Sequence, residues 1–298
     1  MITLKSDLIR VELPDVGEKP NDTQRFDRAG FIAEVVFDGA HHFCASEPLN
    51  LVHPSSGGRG LCCEWVLDIS GEAGAGEYYP KFGVGLIRKE DEGRYSFARK
   101  YKDVVPFEVS REYSDDTAVF TTEGMPCLGY ALKSTKTVSV VGNTVTLVTR
   151  ARNVGEKTIN MQEYCHNFLS IDGMALGSDY VLDLPGVPDQ GNRRMKNLGG
   201  SFGSFRGHGR GVTFCEYSAV ATHIGFKPEE LDSAVPFTWT LSHLGAGLYV
   251  RGEEYFTPSA VSVWAIDHIV SPEINVGFAI APGEAYEWKR RWEFGYLP

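Results

Sequence analysis

A histidine within a run of alternating residues is the most chemically suggestive feature of the sequence. In the segment MQEYCHNF, alternation places Tyr164, His166 and Phe168 on one face of a strand. The other face then carries Met161, Glu163, Cys165 and Asn167. An imidazole can give or take a proton near neutral pH, and an aromatic surround suits the apolar face of a sugar ring. Two interpretations stay open, a proton-transferring His166 and a buried core imidazole.

The potential metal ligands of the sequence do not form a metal-binding pattern. His41 and His42 are adjacent, so on a strand their side chains point to opposite faces. The six cysteines show no CxxC spacing, and we interpret them as free thiols. The phosphate-binding patterns GxGxxG and GxxxxGK are absent from the sequence. We therefore expect neither a metal nor a cofactor.

Short strands are the elements that must position these residues. The run TVSVVGNTVTLV predicts a hairpin, because Gly142 and Asn143 accept the positive φ of a tight turn between two alternating segments. Similar runs recur as TAVFTTE, YVLDLP, GVTFCEY, LGAGLYV, AVSVWAI and NVGFAIA. KPEELDSA alone has a brief helical pattern, and the Gly-rich residues 198–211 predict a long loop. Many short strands favour an all-β fold, a large antiparallel β-sandwich that forms one domain over residues 1–298.

Charge and hydropathy narrow the classes of partner. The formal net charge of -10 would repel a phosphate backbone, so we expect no nucleic acid partner. No apolar run approaches the roughly 18 residues of a membrane-spanning helix. The N-terminal run ITLKSDLIRVEL alternates and does not resemble the core of a signal peptide. We expect a cytoplasmic protein that does not contact a membrane, and we leave the oligomeric state open, a homodimer included.

Three segments, in this order, resemble the galactose mutarotase-like superfamily, which includes the aldose 1-epimerases. The run RFDRAGFIAEVVFDGAHHFC is similar to the first hairpin of that family. The run from GYALKSTK to MQEYCHNFLSIDG resembles its central strands, which end in a motif of Asn-His-Ser-Tyr-Phe-Asn-Leu type. The run IAPGEAYEWKRRWEF resembles its closing Pro-Gly-Glu-x-Tyr strands. The resemblance implies the family's β-sandwich, called a supersandwich, and gives His166 the role of general acid.

The same resemblance implies a carboxylate base and a set of sugar-binding residues. The family base is a Glu shortly before a Pro-Asp segment, and the matching stretch here is VWAIDHIVSPE. Asp267 lines up best when counted back from Pro272, and Glu273 stays as the alternative. The candidates for binding the sugar are Arg25, Glu64, Lys81 and Asn167 for its hydroxyls and Trp264 for a ring face.

Two departures from the family pattern keep the function open. The second family His, in a Leu-His-Gly-Gly motif, has no match in SFARKYKDVVPFEV, and Lys81 stands in the place of a family Arg. The predicted function is interconversion of the anomers of a small-molecule sugar, with His166 and a carboxylate on opposite sides of the sugar. The alternatives are a noncatalytic carbohydrate-binding protein and an epimerase of a phosphorylated hexose, for which Lys81, Arg99 and Lys100 are the available cations.

Overall fold

Alternating apolar and polar residues form antiparallel strands over most of the chain. The computed structural model describes residues 1–47 and 56–298. In chain order the strands are β1 (Ile2–Lys5), β2 (Ile9–Leu13), β3 (Glu34–Phe37), β4 (His41–His42), β5 (Gly60–Val66), β6 (Tyr78–Lys81), β7 (Gly85–Arg88), β8 (Val104–Pro106), β9 (Val109–Tyr113), β10 (Thr117–Thr122), β11 (Leu132–Val141), β12 (Thr144–Asn153), β13 (Ile159–Phe168), β14 (Tyr180–Asp183), β15 (Arg194–Lys196), β16 (Phe202–Gly207), β17 (Gly211–Phe214), β18 (Thr222–Phe226), β19 (Phe237–His243), β20 (Leu248–Glu254), β21 (Ala260–Ile266), β22 (Ile269–Ile280) and β23 (Ala285–Tyr296). The prediction of an all-β fold is confirmed.

Two sheets supply the main layers. The larger has eleven strands in the order β15-β16-β17-β14-β19-β20-β23-β12-β11-β10-β9, and the smaller has five in the order β18-β21-β22-β13-β5. Strands β1 to β4 form a four-stranded sheet, and β6 to β8 form a three-stranded sheet. The described part of the chain contains no helix that is long and apolar enough to cross a membrane.

Turn chemistry explains the longest hairpin. Val141 pairs with Thr144, so Gly142 and Asn143 are the two residues of the loop between β11 and β12. Gly142 has a φ of 58°, a conformation that costs a glycine little because it has no Cβ atom. The hairpin predicted from the sequence is therefore confirmed. The helical pattern of KPEELDSA is confined to one 3₁₀ turn, Pro228–Glu230.

The Gly-rich residues 198–211 do not form the long loop that their composition predicts. They contain β16, which pairs with both β15 and β17 at one end of the eleven-stranded sheet. Phe205 of this strand is fully buried and pairs with Phe214 of β17. Burial of one aromatic ring on each strand thus outweighs the low strand propensity of the glycines.

Aromatic side chains of β23 join the two main layers. The Trp292 indole N–H donates to Oδ1 of Asn167 on β13 at 2.9 Å. The Trp288 indole N–H donates to Oε2 of Glu163, also on β13, at 3.1 Å. Both indoles are buried, and a buried indole needs such an acceptor for its N–H. The core therefore lies between β23 of one sheet and the odd-numbered residues of β13 in the other.

A charge cluster occupies the same interlayer space. The Arg290 guanidinium lies 2.6 Å from Glu163 Oε2 and 3.0 Å from Glu254 Oε2. All three side chains are at most 1% exposed. Burial raises the pKa of Glu254 to about 7, against the opposing effect of Arg290, because one guanidinium is shared by two carboxylates. We call Arg290, Glu163 and Glu254 the core cluster.

Candidate active site

A cavity of about 350 Å³ lies on the face of the five-stranded sheet that is turned away from the eleven-stranded sheet. Its aromatic lining comes from Phe97, Tyr164, Phe168 and Trp264. Its titratable lining comes from Arg25, Glu47, Tyr164, His166, His223 and Glu273. The volume and the mixture of aromatic and polar walls are typical of a small-molecule site.

Strand register brings an imidazole and a carboxylate together in this cavity. Strand β13 pairs with β22 so that Tyr164 is opposite Asn275, and the isolated bridge between Leu169 and Val270 continues the same register. That register sets Glu273 opposite His166. Directly opposed residues of antiparallel strands point to the same face of a sheet. The two side chains therefore meet although they are far apart in the sequence.

His166 and Glu273 are in direct contact. Nδ1 of His166 lies 2.9 Å from Oε1 of Glu273. The carboxylate oxygen does not lie along the direction of an Nδ1–H bond, so the contact is an ion pair without a hydrogen bond. Burial and, less strongly, Arg25 lower the pKa of His166, but the Glu273 and Glu64 carboxylates together raise it more, so its pKa lies above the usual value. Burial raises the pKa of Glu273, but His166, His223 and Ser262 together lower it more, so its pKa lies below the usual value. The contact favours a protonated imidazole beside an ionised carboxylate.

The other ring nitrogen of His166 faces a tyrosine and an arginine. Nε2 lies 2.6 Å from the Tyr164 hydroxyl oxygen and 3.0 Å from a terminal nitrogen of Arg25. The Tyr164 hydroxyl donates to Glu64 Oε2 at 2.9 Å, so its oxygen is available to accept a hydrogen bond from a protonated His166. Nε2 is thus within hydrogen-bonding distance of Tyr164, whereas Nδ1 makes an ion-pair contact with Glu273 without a hydrogen bond.

Glu64 anchors the wall behind His166. It accepts hydrogen bonds from Arg25 Nε at 2.7 Å and from Lys81 Nζ at 3.4 Å. Burial raises the pKa of Glu64, but Lys81 and Arg25 lower it more, and the carboxyl titrates well below its usual range. Lys81 is itself 4% exposed, and burial lowers its pKa. Glu64 and Lys81 therefore position Arg25 and Tyr164 and do not line the cavity.

The aromatic lining packs around the imidazole. The rings of His166 and Phe168 are stacked with centroids 5.0 Å apart, and Trp264 meets Phe168 edge to face at 5.8 Å. At the mouth, the Arg25 guanidinium lies 4.2 Å from the ring centroid of Phe97, a half-exposed side chain. These rings give the cavity an apolar surface beside its proton-carrying groups.

Comparison with solved structures shows which fold this is. A galactose mutarotase-like protein from Lactobacillus casei matches with a TM-score of 0.60 and 13% identity, over 99% of this chain and 100% of that one. The galactose mutarotase related enzyme from Lactobacillus acidophilus matches with a TM-score of 0.59 and 12% identity, over 99% and 97% of the two chains. The fold is galactose mutarotase-like. The resemblance predicted from the sequence is confirmed at the level of the fold.

A third match extends this galactose mutarotase-like group to an animal protein. The aldose epimerase homologue from C. elegans has a TM-score of 0.58 and 9% identity, over 100% of this chain and 99% of that one. No family model and no curated protein matches the sequence. At such low identities the likeness establishes the fold, and the site has to be argued from its own geometry.

Besides Glu64 and Lys81, two more of the residues singled out from the sequence, Asn167 and Asp267, do not line the cavity of this mutarotase-like fold. Asn167 is 1% exposed between the sheets, where its amide N–H donates to the Pro272 carbonyl at 2.5 Å and its oxygen accepts from Trp292. Asp267 occupies the turn between β21 and β22 with a φ of 56° and contacts His268 Nδ1 at 3.0 Å. Of the two carboxylates considered as the base, Glu273 is the one that meets His166.

His223 is a cavity residue that the sequence analysis did not identify. It lies on β18, directly opposite Trp264 of β21, so both side chains occupy the cavity face. Its Nε2 atom lies 3.8 Å from Glu273 Oε2. In the sequence, His223 is a histidine within the short alternating run THIGF. That pattern would have indicated a cavity residue only if the pairing of this strand with β21 had been known.

The adjacent histidines lie outside the cavity lining. His41 Nδ1 contacts Asp172 at 2.8 Å, and His42 Nδ1 contacts Glu34 at 3.4 Å. Within residues 1–47 and 56–298, no three His, Cys, Asp or Glu side chains converge as metal ligands. The two rings have separate carboxylate partners, so they do not share a ligand.

Proposed function

We propose that the cavity binds an aldose and that His166 and Glu273 interconvert its anomers by opening and closing the sugar ring. The observation that carries this proposal is the 2.9 Å contact between His166 and Glu273 in a cavity of about 350 Å³. The raised pKa of His166 and the lowered pKa of Glu273 support an acid and a base in adjacent positions. The mutarotase-like fold agrees with this activity.

The reaction needs one proton given and one proton taken. His166 gives a proton to the ring oxygen while Glu273 takes the proton of the anomeric hydroxyl, and the bond between the anomeric carbon and the ring oxygen breaks. The resulting aldehyde rotates and closes on its other face with the two proton transfers reversed. Atoms and charges balance without a redox partner.

The contact between the two groups suits this chemistry although we expected them on opposite sides of the sugar. The ring oxygen and the anomeric oxygen are bonded to the same carbon, so they are close to each other. An acid and a base that touch can therefore serve both oxygens. Arg25 and Tyr164 hold the other side of the imidazole, and Phe168 and Trp264 offer apolar surface to a sugar ring.

The experiment is to follow anomer exchange of freshly dissolved D-glucose and D-galactose by polarimetry and by NMR. We expect the wild type to accelerate the exchange, and we expect His166→Ala to lower the rate about 100- to 10,000-fold, the usual effect of losing a general acid or base. His41→Gln changes an imidazole outside the cavity and serves as the control. Equal rates for the wild type and His166→Ala would rule out the mechanism.

One observation favours a noncatalytic carbohydrate-binding protein as the second candidate. Both ring nitrogens of His166 already contact protein groups, Nδ1 the Glu273 carboxylate at 2.9 Å and Nε2 the Tyr164 hydroxyl at 2.6 Å, so the ring must release one contact to act. In that case a sugar would change the tryptophan fluorescence of the protein, because Trp264 lines the cavity, and the wild type would leave the rate of anomer exchange unchanged.

The surroundings of the cations that were considered for binding a phosphorylated hexose favour a neutral sugar as the substrate. Lys81 is buried against Glu64, and Arg99 lies 2.8 Å from both Glu90 and Asp91. Lys81 and Arg99 are thus already paired with carboxylates, and Lys100 is an exposed residue outside the cavity lining. The proposed substrate is an uncharged aldose.

A further inference from the structure

His223 is a cavity-lining imidazole that the proposed proton transfer leaves unused. It lies on β18, the edge strand of the five-stranded sheet, and pairs with Trp264. Its side chain is 40% exposed as a whole, yet its Nε2 atom is buried. The ring therefore presents one edge to solvent and turns a polar atom toward the interior of the site.

The buried nitrogen faces Glu273 without bonding to it. The separation of 3.8 Å between His223 Nε2 and Glu273 Oε2 is longer than a hydrogen bond. No atom of the described residues completes a hydrogen bond with His223 Nε2. Buried polar atoms are nearly always paired because desolvation without a partner is costly. An unpaired nitrogen at the wall of a cavity is where a ligand can provide the missing partner.

Glu273 has other partners on the side that faces His223. Its Oε2 atom accepts a hydrogen bond from the Ser262 hydroxyl at 3.0 Å, and its Oε1 atom contacts His166. The carboxylate is thus held in place without His223. The imidazole of His223 keeps its hydrogen-bonding capacity for another group.

We propose that His223 is a substrate-binding residue whose Nε2 atom forms a hydrogen bond with a hydroxyl of the aldose, beside the anomeric centre held by His166 and Glu273. This inference rests on the proposed function. An aldose carries hydroxyl groups on neighbouring carbons, so a second hydroxyl lies close to the anomeric one.

The chemistry of a neutral imidazole fits a hydroxyl. Nε2 is a donor in one tautomer and an acceptor in the other, and a hydroxyl is both a donor and an acceptor. Burial lowers the pKa of His223 below its usual value despite the opposing effect of Glu273, which keeps the ring neutral. The site thereby contains two imidazoles in different states, since the pKa of His166 is raised.

Two variants of His223 separate hydrogen bonding from packing. His223→Gln keeps a side-chain donor and acceptor at a similar reach, whereas His223→Phe keeps an aromatic ring and removes both. We would measure kcat and KM for anomer exchange of D-galactose and D-glucose by NMR. The expected result is that His223→Phe raises KM about 3- to 10-fold, the effect of one lost hydrogen bond, with a smaller change in kcat. His223→Gln is expected to stay near the wild type.

His208→Gln is the matched control, because His208 is an exposed residue outside the cavity lining. Thermal unfolding of all variants verifies that they fold. Wild-type KM values in both His223 variants would overturn the inference, and so would a loss in His223→Gln as large as in His223→Phe, which would indicate a structural role.

The result for the wild type distinguishes this inference from the proposed function. If the wild type does not accelerate anomer exchange, the proposed function fails. Titration of the tryptophan fluorescence of the protein with the same two sugars then tests His223 directly. Weaker binding by His223→Phe than by His223→Gln would support the inference. Equal binding by the two variants, or no binding of either sugar by the wild type, would overturn it.

Discussion

The two faces of the five-stranded sheet carry polar clusters of similar composition in different surroundings. On the inner face, Arg290 is shared by Glu163 and Glu254 with no more than 1% exposure. On the outer face, His166 is in contact with Glu273 at the wall of a cavity. Each cluster combines cationic and anionic side chains, so burial of charge does not by itself distinguish a functional site from a structural one.

The difference lies in access and in the kind of cation. Burial lowers the pKa of Arg290, but Glu163 and Glu254 raise it more, so the guanidinium remains charged and cannot exchange a proton. His166 is an imidazole and borders a space that a ligand can enter. Removal of a group should therefore affect stability on the inner face and activity on the outer face.

The strongest test of this comparison replaces one carboxylate on each face. Glu273→Gln removes the proposed base, and we expect the rate of anomer exchange to fall about 100- to 10,000-fold. Glu163→Gln removes a charge from the core cluster, and we expect it to lower the free energy of unfolding while the folded variant keeps its rate. Polarimetry and urea denaturation provide the two readouts. A wild-type rate in Glu273→Gln would contradict the assignment of the outer face.

The next largest effect is expected for the cation of the core cluster. Arg290→Met leaves two carboxylates without a partner between the sheets, and we expect the free energy of unfolding to fall by about 3–5 kcal/mol. The neighbouring Arg291 is 29% exposed and bridges Glu253 and Glu293. Arg291→Met should cost only about 0–1 kcal/mol. If urea denaturation gave equal losses in the free energy of unfolding for the two variants, the buried cluster would contribute no more to stability than the exposed ion pairs of Arg291.

A smaller, pH-dependent effect belongs to Glu254. Its pKa is raised to about 7 in the folded protein. Between the ordinary pKa of a glutamate and this value, the folded state therefore binds a proton that the unfolded state has released. This contribution is complete below the ordinary pKa of a glutamate and is lost as the pH rises through about 7. Glu254→Gln mimics the protonated form, and we expect it to exceed the wild type in stability by about 1–2 kcal/mol at pH 8.

The measurement for Glu254 is urea denaturation of the wild type and Glu254→Gln across the pH range from 5 to 8. The two proteins should be similar in stability at the acidic end and diverge toward the alkaline end. A constant difference at every pH would mean that Glu254 does not titrate in this range.

The smallest effect should come from a carboxylate that belongs to neither cluster. Asp267 lies in the turn between β21 and β22 at positive φ, a conformation that Asn tolerates as well as Asp. The hydrogen bond from Tyr217 lowers its pKa most, which indicates a local structural role. We expect Asp267→Asn to change the free energy of unfolding by about 0.5 kcal/mol and to leave the rate unchanged. A large loss of rate would restore Asp267 as the base.

Alternation along β13 made the two faces predictable from the sequence. Because strand side chains alternate strictly, the run MQEYCHNF placed His166 on one face and Glu163 on the other before any pairing was known. The same alternation excluded Asn167 from the face of His166, and the structure indeed uses its amide to hold Trp292 in the core. Asn167 as a sugar ligand followed from the family resemblance and conflicted with this local rule.

The partners of His166 could not be predicted because they depend on long-range register. Asp267 and Glu273 are six positions apart, and the choice between them depends on where β21 turns into β22. His223 joins the site only through the pairing of β18 with β21. Turn propensity was also insufficient to predict the structure of residues 198–211. There the burial of Phe205 in the tertiary structure stabilises a strand within a Gly-rich stretch.

The alternation of side chains along β21 and β22 also determines which positions can change to give the protein new ligand specificities. Ser262 and Trp264 project toward the cavity face, whereas the intervening Val263 is fully buried. Mutations at every second position can therefore remodel ligand recognition while leaving the apolar contacts that hold the layers together unaltered. This separation makes the sheet a suitable scaffold for directed evolution, with libraries confined to even-numbered positions in β21 and odd-numbered positions in β22.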